Sequence, residues 1–254
     1  MNHKPWQAIF DKYRMEAHDF SRKPYVLTAE KIKEATYHFS TTNEREVRVL
    51  CKQDSREDRP EVFIKNDLFL LPIKNGTYII LRGEGYVDIP EIKTKPIIYN
   101  SKLDFELETS RVGNSEMQHL DFAFASGLIH SYMNDSTLVL TIRGRKYTPK
   151  FDFTAGIFNQ KVMVESVQTE VDAGYEGRNK VVLIEAKNSQ TKNTIIRQLY
   201  YPYRQWQYYT AKKVNVMFFE KRRDIYSFWS YEFTDVGNYN SIKLINSAQY
   251  EIKT

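Results

Sequence analysis

Four consecutive apolar residues, Val181-Val-Leu-Ile184, run directly into Glu185-Ala-Lys187. That transition constrains the fold more than any other feature of the chain. A run that is apolar at every position, rather than at alternate ones, suits a strand covered on both faces. Such a strand needs helices above and below it and neighbours on either side. Residues two apart leave the same face of a strand, so Glu185 and Lys187 put a carboxylate and an ammonium together where a buried strand ends. Buried charges are costly unless paired. A strand is expected just before, over 161–172, with Asp172 at its end. A short turn through Gly174 and Gly177, closed by Asn179, can return the chain so that Asp172 lies beside Glu185. Two carboxylates and a lysine would then converge. The plainer alternative makes Glu185 and Lys187 a surface pair and Asp172 a turn residue.

The rest of the chain supplies the flanking elements. Helices are expected over Trp6–Tyr13 and Thr28–Glu34, the second with Thr28 as its cap, and a strand over Glu46–Leu50. Leu68–Ile73 and Thr77–Leu81 flank Asn75-Gly76, a two-residue hairpin signal. Residues 84–112, with Pro90 and Pro96, read as a connection. Ser115-Glu-Met-Gln118 fits a capping box, and Met117, Leu120, Phe124, Leu128 and Tyr132 repeat as one buried helical face. Strands over Thr137–Arg143 and Lys146–Phe153 are expected to meet at a Gly144 turn. A basic helix spans roughly Lys192–Thr210, kinked or restarted at Pro202. Val214–Glu220, Ile225–Phe233 and Ile242–Ile252 complete the sheet. The fold class is α+β, an α/β sandwich with a mixed central sheet flanked by helices. An N-terminal α+β unit over 1–105 would precede a main domain over 106–254.

Charge indicates a partner. The chain carries a net +5, yet residues 191–224 alone hold Lys192, Arg197, Arg204, Lys212, Lys213, Lys221, Arg222 and Arg223 against Glu220 and Asp224. A basic stripe of that kind suits a polyanion such as nucleic acid; the alternative is a solvated helix face. Cys51 is the only cysteine, which excludes a disulfide framework and a cysteine-based zinc site. His3, His18, His38, His119 and His130 show no metal-ligand spacing, and Gly83-Glu-Gly85 lacks the third glycine of a dinucleotide loop. Met1-Asn-His-Lys-Pro-Trp6 has no apolar core after its lysine, and Leu68–Ile73 is far short of a membrane span. A cytoplasmic protein with no membrane partner is the expectation. Two adjacent carboxylates repel, and a hard divalent cation resolves that repulsion. With Lys187 near the water, this is the minimum equipment for phosphodiester hydrolysis.

Asp172, then Glu185-Ala-Lys187 on an apolar strand, then a helix with Arg197-Gln198, resembles the PD-(D/E)XK nuclease superfamily, with Val171 in place of the proline of that name. Wider text is similar to type II restriction endonucleases of that superfamily: Ser115-Glu-Met-Gln118, Thr141-Ile-Arg-Gly-Arg145, Glu170–Gly177 and Ile196-Arg-Gln-Leu-Tyr-Tyr-Pro-Tyr-Arg204. The resemblance covers roughly 110–220 and extends to Leu81–Tyr86. It implies a restriction-endonuclease-like core and a Mg²⁺-dependent endonuclease, with Mn²⁺ able to substitute, cutting double-stranded DNA as a homodimer on a palindromic site. A DNA methyltransferase acting on the same site is the further implied partner. Asp172, Glu185 and the Ala186 backbone carbonyl would hold the metal, and Lys187 would be the catalytic lysine. Glu116 matches an extra acidic ligand of many members, or it stabilises its helix dipole. Gln198 resembles a glutamine of some relatives, although Pro202 stands where their tyrosine would be; Glu170 is a possible alternate ligand. Arg143 and Arg145, flanking Gly144, form either a DNA-contacting hairpin tip or an exposed tight turn. Lys192, Arg197 and Arg204 would contact phosphates. Two other functions remain open: a structure-selective repair or junction-resolving nuclease of the same fold, and a non-catalytic DNA-binding module. The intact Asp–Glu–Lys set argues against the module, and the N-terminal unit favours a base-reading enzyme.

Overall fold

The structure, a computed structural model, describes residues 2–187 and 190–253. The chain begins with α1 (His3–Lys12), β1 (Tyr25–Thr28), α2 (Ala29–Thr36), two four-residue turns α3 (Thr42–Arg45) and α4 (Val47–Leu50), and α5 (Glu61–Lys65). The hairpin β2 (Leu68–Lys74) and β3 (Thr77–Arg82) turns at Asn75-Gly76, and β1 joins it to make a three-stranded sheet ordered β1-β3-β2. Trp6, Phe10, Leu27, Ile32, Leu50 and Phe63 close one core over this sheet. As the sequence suggests, Thr28 caps α2, its hydroxyl accepting the Lys31 N–H. Glu46–Leu50 is not a strand. Glu46 caps α4 through its side chain, and Val47 and Leu50, three apart, fit one buried helical face.

Next come β4 (Tyr86–Asp88), β5 (Ile97–Asn100), α6 (Glu116–Ala125), α7 (Leu128–Tyr132), β6 (Val139–Tyr147), β7 (Phe151–Ala155), β8 (Gln160–Val164), β9 (Gln168–Glu176), β10 (Lys180–Lys187) and β11 (Asn193–Ile195). α8 (Arg197–Tyr209), β12 (Lys213–Arg222), β13 (Ile225–Phe233) and β14 (Ile242–Lys253) follow. The central sheet is ordered β5-β14-β13-β12-β10-β9-β6. It is mixed: β10–β12 and β14–β5 are parallel, the other pairs antiparallel. Parallel neighbours need a crossover, and α8 provides it between β10 and β12. On the α8 face, Leu199, Tyr200 and Tyr203 share a core with Val181, Leu183, Val216 and Phe218. On the opposite face, Leu120 and Ala123 of α6 share a core with Val182, Ile184, Ala186, Met217 and Phe219. Coverage on both faces is why β10 is apolar without alternation.

Several expected boundaries move. The 84–112 connection carries β5, which pairs in parallel with β14 at the sheet edge. The helix beginning at Glu116 breaks at Gly127, whose φ of +83° is left-handed. Its buried positions are His119, Leu120 and Ala123, while Met117 is 46% exposed. Ser115 Oγ accepts the Gln118 N–H at 3.1 Å, but the Gln118 amide donates to the Thr109 and Val112 carbonyls, so the reciprocal half of the capping box is not formed. Gly144 does not turn the chain. β6 runs through it, and β7 leaves to pair with β8 in a separate ribbon, so Arg143-Gly144-Arg145 is no hairpin tip. β9 runs past Asp172 to Glu176, with Gly174 inside the strand because a Cβ there would lie 2.6 Å from Ile142. The basic helix begins at Arg197, since Asn193–Ile195 pairs with β4, and it continues as one element through Pro202.

Candidate active site

The β9–β10 register places Leu183 opposite Gly174 and Ile184 opposite Ala173. One residue on, Asp172 faces Glu185. The Ala186 N–H donates to Asp172 Oδ2 at 2.7 Å, tying the carboxylate to the neighbouring strand. Relative to β6, β9 carries an extra residue here: Ile142 pairs with Gly174, but Gly144 pairs with Val171. Such bulges bend a strand and re-aim a side chain, and this one falls at Asp172–Ala173.

Lys187 Nζ donates to Glu185 Oε1 at 2.6 Å, with the two side chains 26% and 11% exposed. Burial pushes the Glu185 carboxyl up to about 7; Lys187 counteracts this and Asp172 reinforces it. Asp172 is also raised, by burial first, against the stabilising Ala186 N–H. Burial opposes the Lys187 charge, but Glu185, Asp172 and Glu116 together raise its pKa. Glu116, in the first turn of α6, therefore lies within electrostatic reach of the site.

Asp54 joins the site with no signal in the sequence to announce it. It adds negative potential at Glu185 and lies 3.6 Å from Arg197. Its carbonyl accepts the Ile195 N–H at 2.8 Å, which fixes it beside the start of α8. The charged loop that contains it is visible in the sequence, but no spacing connects it to Glu185.

Asp172 and Glu185 supply carboxylate oxygens, and Ala186 brings its backbone to the same place. These are oxygen donors of the kind a hard cation takes, and two buried carboxylates that raise one another would be relieved by it. Among the described residues, no group of three or more His, Cys, Asp or Glu side chains is arranged to hold a metal. The fit therefore rests on two carboxylates, with backbone and water oxygens completing the shell.

The remaining residues are placed as follows. Glu170 is exposed and pairs with Arg145 at 3.2 Å. Gln198 lines a narrow pocket with Glu170, Glu185 and Pro202, and its Oε1 accepts from the Thr194 hydroxyl at 2.5 Å. Arg143 pairs with Asp121 on α6. Arg204 donates to the Asp152 and Val236 carbonyls and the Tyr200 hydroxyl, and stacks 4.9 Å over the Phe151 ring. Arg197 and Arg204 are thus engaged within the protein. Lys192, Lys213, Arg222 and Arg223 are exposed.

The sequence family described as a domain of unknown function (DUF6997) matches residues 81–251, and a second domain of unknown function (DUF6996) matches residues 3–80. No curated protein and no solved structure gives a match. Among the described residues, no helix is long and apolar enough to cross a membrane.

Proposed function

The chain belongs to the family described as a domain of unknown function (DUF6997), and from its site we propose that it is a Mg²⁺-dependent endonuclease hydrolysing double-stranded DNA. The observation that carries the reading is the meeting of Asp172, Glu185 and Lys187 at the end of β10. Element order supports it. A helix (α6), three antiparallel strands (β6, β9, β10), a crossover helix (α8) and a strand parallel to the third (β12) follow one another, as the resemblance to PD-(D/E)XK nucleases implies.

The chain's own residues have separable roles. Asp172 and Glu185 offer oxygens to the cation, and the Ala186 N–H holds the Asp172 carboxylate in place. Bound Mg²⁺ supplies Lewis-acid stabilisation of the phosphate and lowers the pKa of water. Lys187 stays cationic and orients the attacking water or neutralises a phosphoryl oxygen as the phosphodiester bond breaks. Sequence-specific cutting of restriction type is favoured by the N-terminal unit. Its loop meets β11 through Asp54 and Ile195, Arg56 and Asn193, and Glu57 and Asn193, which brings additional surface close to the site. Concerted cutting of both strands would need two copies, hence a homodimer on DNA, with a methyltransferase protecting the same sequence.

Incubating supercoiled plasmid with the protein and Mg²⁺ tests the reading. Discrete linear fragments are expected from the wild type and none from Glu185→Ala or Lys187→Ala. A smear would replace sequence selection by structure selection. Near-normal cutting by Glu185→Ala would remove the site assignment.

A further inference from the structure

A cavity of about 370 Å³ lies on the α6 side of the central sheet. That is at the small end of ligand pockets, which run roughly 300–1,000 Å³. Its wall is α6, contributing His119 and Phe122; Lys221, Asp224 and Tyr226 come from β12, β13 and the turn between them. The segment before α6 forms the other side and is fastened to the helix: the Gln118 amide donates to Thr109 and Val112, and His119 Nε2 lies 2.8 Å from Asn114 Oδ1. The cavity adjoins the candidate active site. Lys221 follows Glu220, the residue paired with Lys187 across β10 and β12, and His119 lies one helical turn after Glu116.

We propose that this cavity binds a nucleobase, an inference that rests on the nuclease reading for its choice of ligand. Carboxylates (Glu106, Asp224, Glu251) outnumber the single lysine, which does not suit a di- or triphosphate needing clustered cations. A lining this polar does not suit a fatty ligand. A flat ring edged with donors and acceptors fits both features. Its amino groups would donate to the carboxylates, the Asn114 amide and Lys221 would serve its carbonyl and ring nitrogens, and Phe122 and Tyr226, 6.1 Å apart, offer faces for stacking. His119 is buried, and burial with Lys221 nearby keeps its pKa below the usual value, so it presents a neutral ring. The base could be everted from DNA beside the cleavage site or belong to a free nucleoside.

Saturation-transfer NMR of the full chain with deoxyadenosine, deoxyguanosine, deoxycytidine and thymidine, one at a time, tests the pocket without requiring cleavage. Transfer to at least one nucleoside is expected. Ser110→Trp, which fills the cavity from its outer segment, should weaken binding at least tenfold without moving the melting temperature. A duplex carrying 2-aminopurine, with Ca²⁺, separates the sources: increased fluorescence marks an everted base, and nucleoside binding without it marks a free nucleoside as ligand. No transfer to any nucleoside, or equal binding by Ser110→Trp, would overturn the inference. Nucleoside binding in a protein that never cuts plasmid would count against the nuclease reading alone.

Discussion

Replacing Glu185 by glutamine isolates the effect of holding that carboxyl in a buried place. Its pKa rises from 4.5 to about 7, burial outweighing the attraction of Lys187. A carboxyl whose folded pKa lies above its unfolded value binds more protons when folded, so stability falls as pH rises between the two. Below about 4.5 the group is neutral in both states and its contribution is fully present. Above about 7 that contribution is gone. The difference of roughly 2.5 units, at 1.36 kcal/mol each, amounts to about 3 kcal/mol. The amide of Glu185→Gln has nearly the same shape and no titration, while Lys187 retains Asp172 and Glu116 as charge partners. Wild-type stability minus variant stability should therefore decline by about 3 kcal/mol from roughly pH 4.5 to 7.5. Urea unfolding of both proteins in EDTA, at half-unit pH steps, measures this difference. Other carboxyls raised by burial, such as Glu220, cancel in the subtraction. Parallel stability curves for the two proteins would refute the burial argument.

Ca²⁺ at about a hundred times its dissociation constant should stabilise the wild type by ~2.7 kcal/mol and leave Asp172→Asn unaffected, as read from thermal midpoints with and without chelator. Arg204→Ala should destabilise the fold by roughly 2–3 kcal/mol, because charged hydrogen bonds contribute ~1.5–3 kcal/mol, while leaving the salt dependence of DNA affinity unchanged. Replacing Lys192, Arg222 and Arg223 together should flatten the slope of log affinity against log salt by about one unit for each phosphate no longer neutralised. Gly85→Ala should cost ~1–3 kcal/mol, since its Cβ would lie 2.4 Å from the buried Phe69 ring; denaturant midpoints measure it.

β10 is legible in the sequence because its pattern is local: an apolar run ending in charge requires cover on both faces, and α6 and α8 provide it. The meeting of Asp172 and Glu185 is legible for the same reason, although the turn lies later than Gly174. That glycine looks like a turn residue, but a distant side chain, Ile142, requires its small size. Gly144 carries a φ of +77° inside a strand that slips register beside it; a glycine in a bulge and one in a turn look alike in sequence. Met117 shares the apolar spacing of α6 yet lies outside its buried face, because what covers α6 is decided by strands far along the chain. Arg204 looks like a phosphate ligand in sequence since its partners, Asp152, Tyr200 and Val236, are mostly remote along the chain. Asp54 reaches the site through a tertiary contact that no spacing foreshadows.

The β2–β3 hairpin leads to one more prediction, because it walls both halves of the molecule. Leu68, Leu70 and Ile80 lie in the N-terminal core, while their neighbours Phe69, Leu71, Ile79 and Leu81 lie in the core beneath α8 with Phe153, Ala155, Val162 and Val164. Alternation along a strand assigns successive side chains to opposite faces, so one hairpin closes two cores. The two matched families meet between Ile80 and Leu81, inside β3. A chain beginning at residue 81 would lose Phe69, Leu71 and Ile79 from the second core. At ~1.5–3 kcal/mol for each large side chain, that is roughly 5–9 kcal/mol, comparable with the ~5–15 kcal/mol by which folded proteins are stable. It would also lose the Asp54 carbonyl and carboxylate that hold Ile195 and Arg197 at the start of α8. Residues 81–254 alone should therefore lack fixed tertiary packing, with weak near-UV dichroism and collapsed amide dispersion in NMR. Native-like dispersion from that fragment would show that the second core closes without the hairpin's shared face.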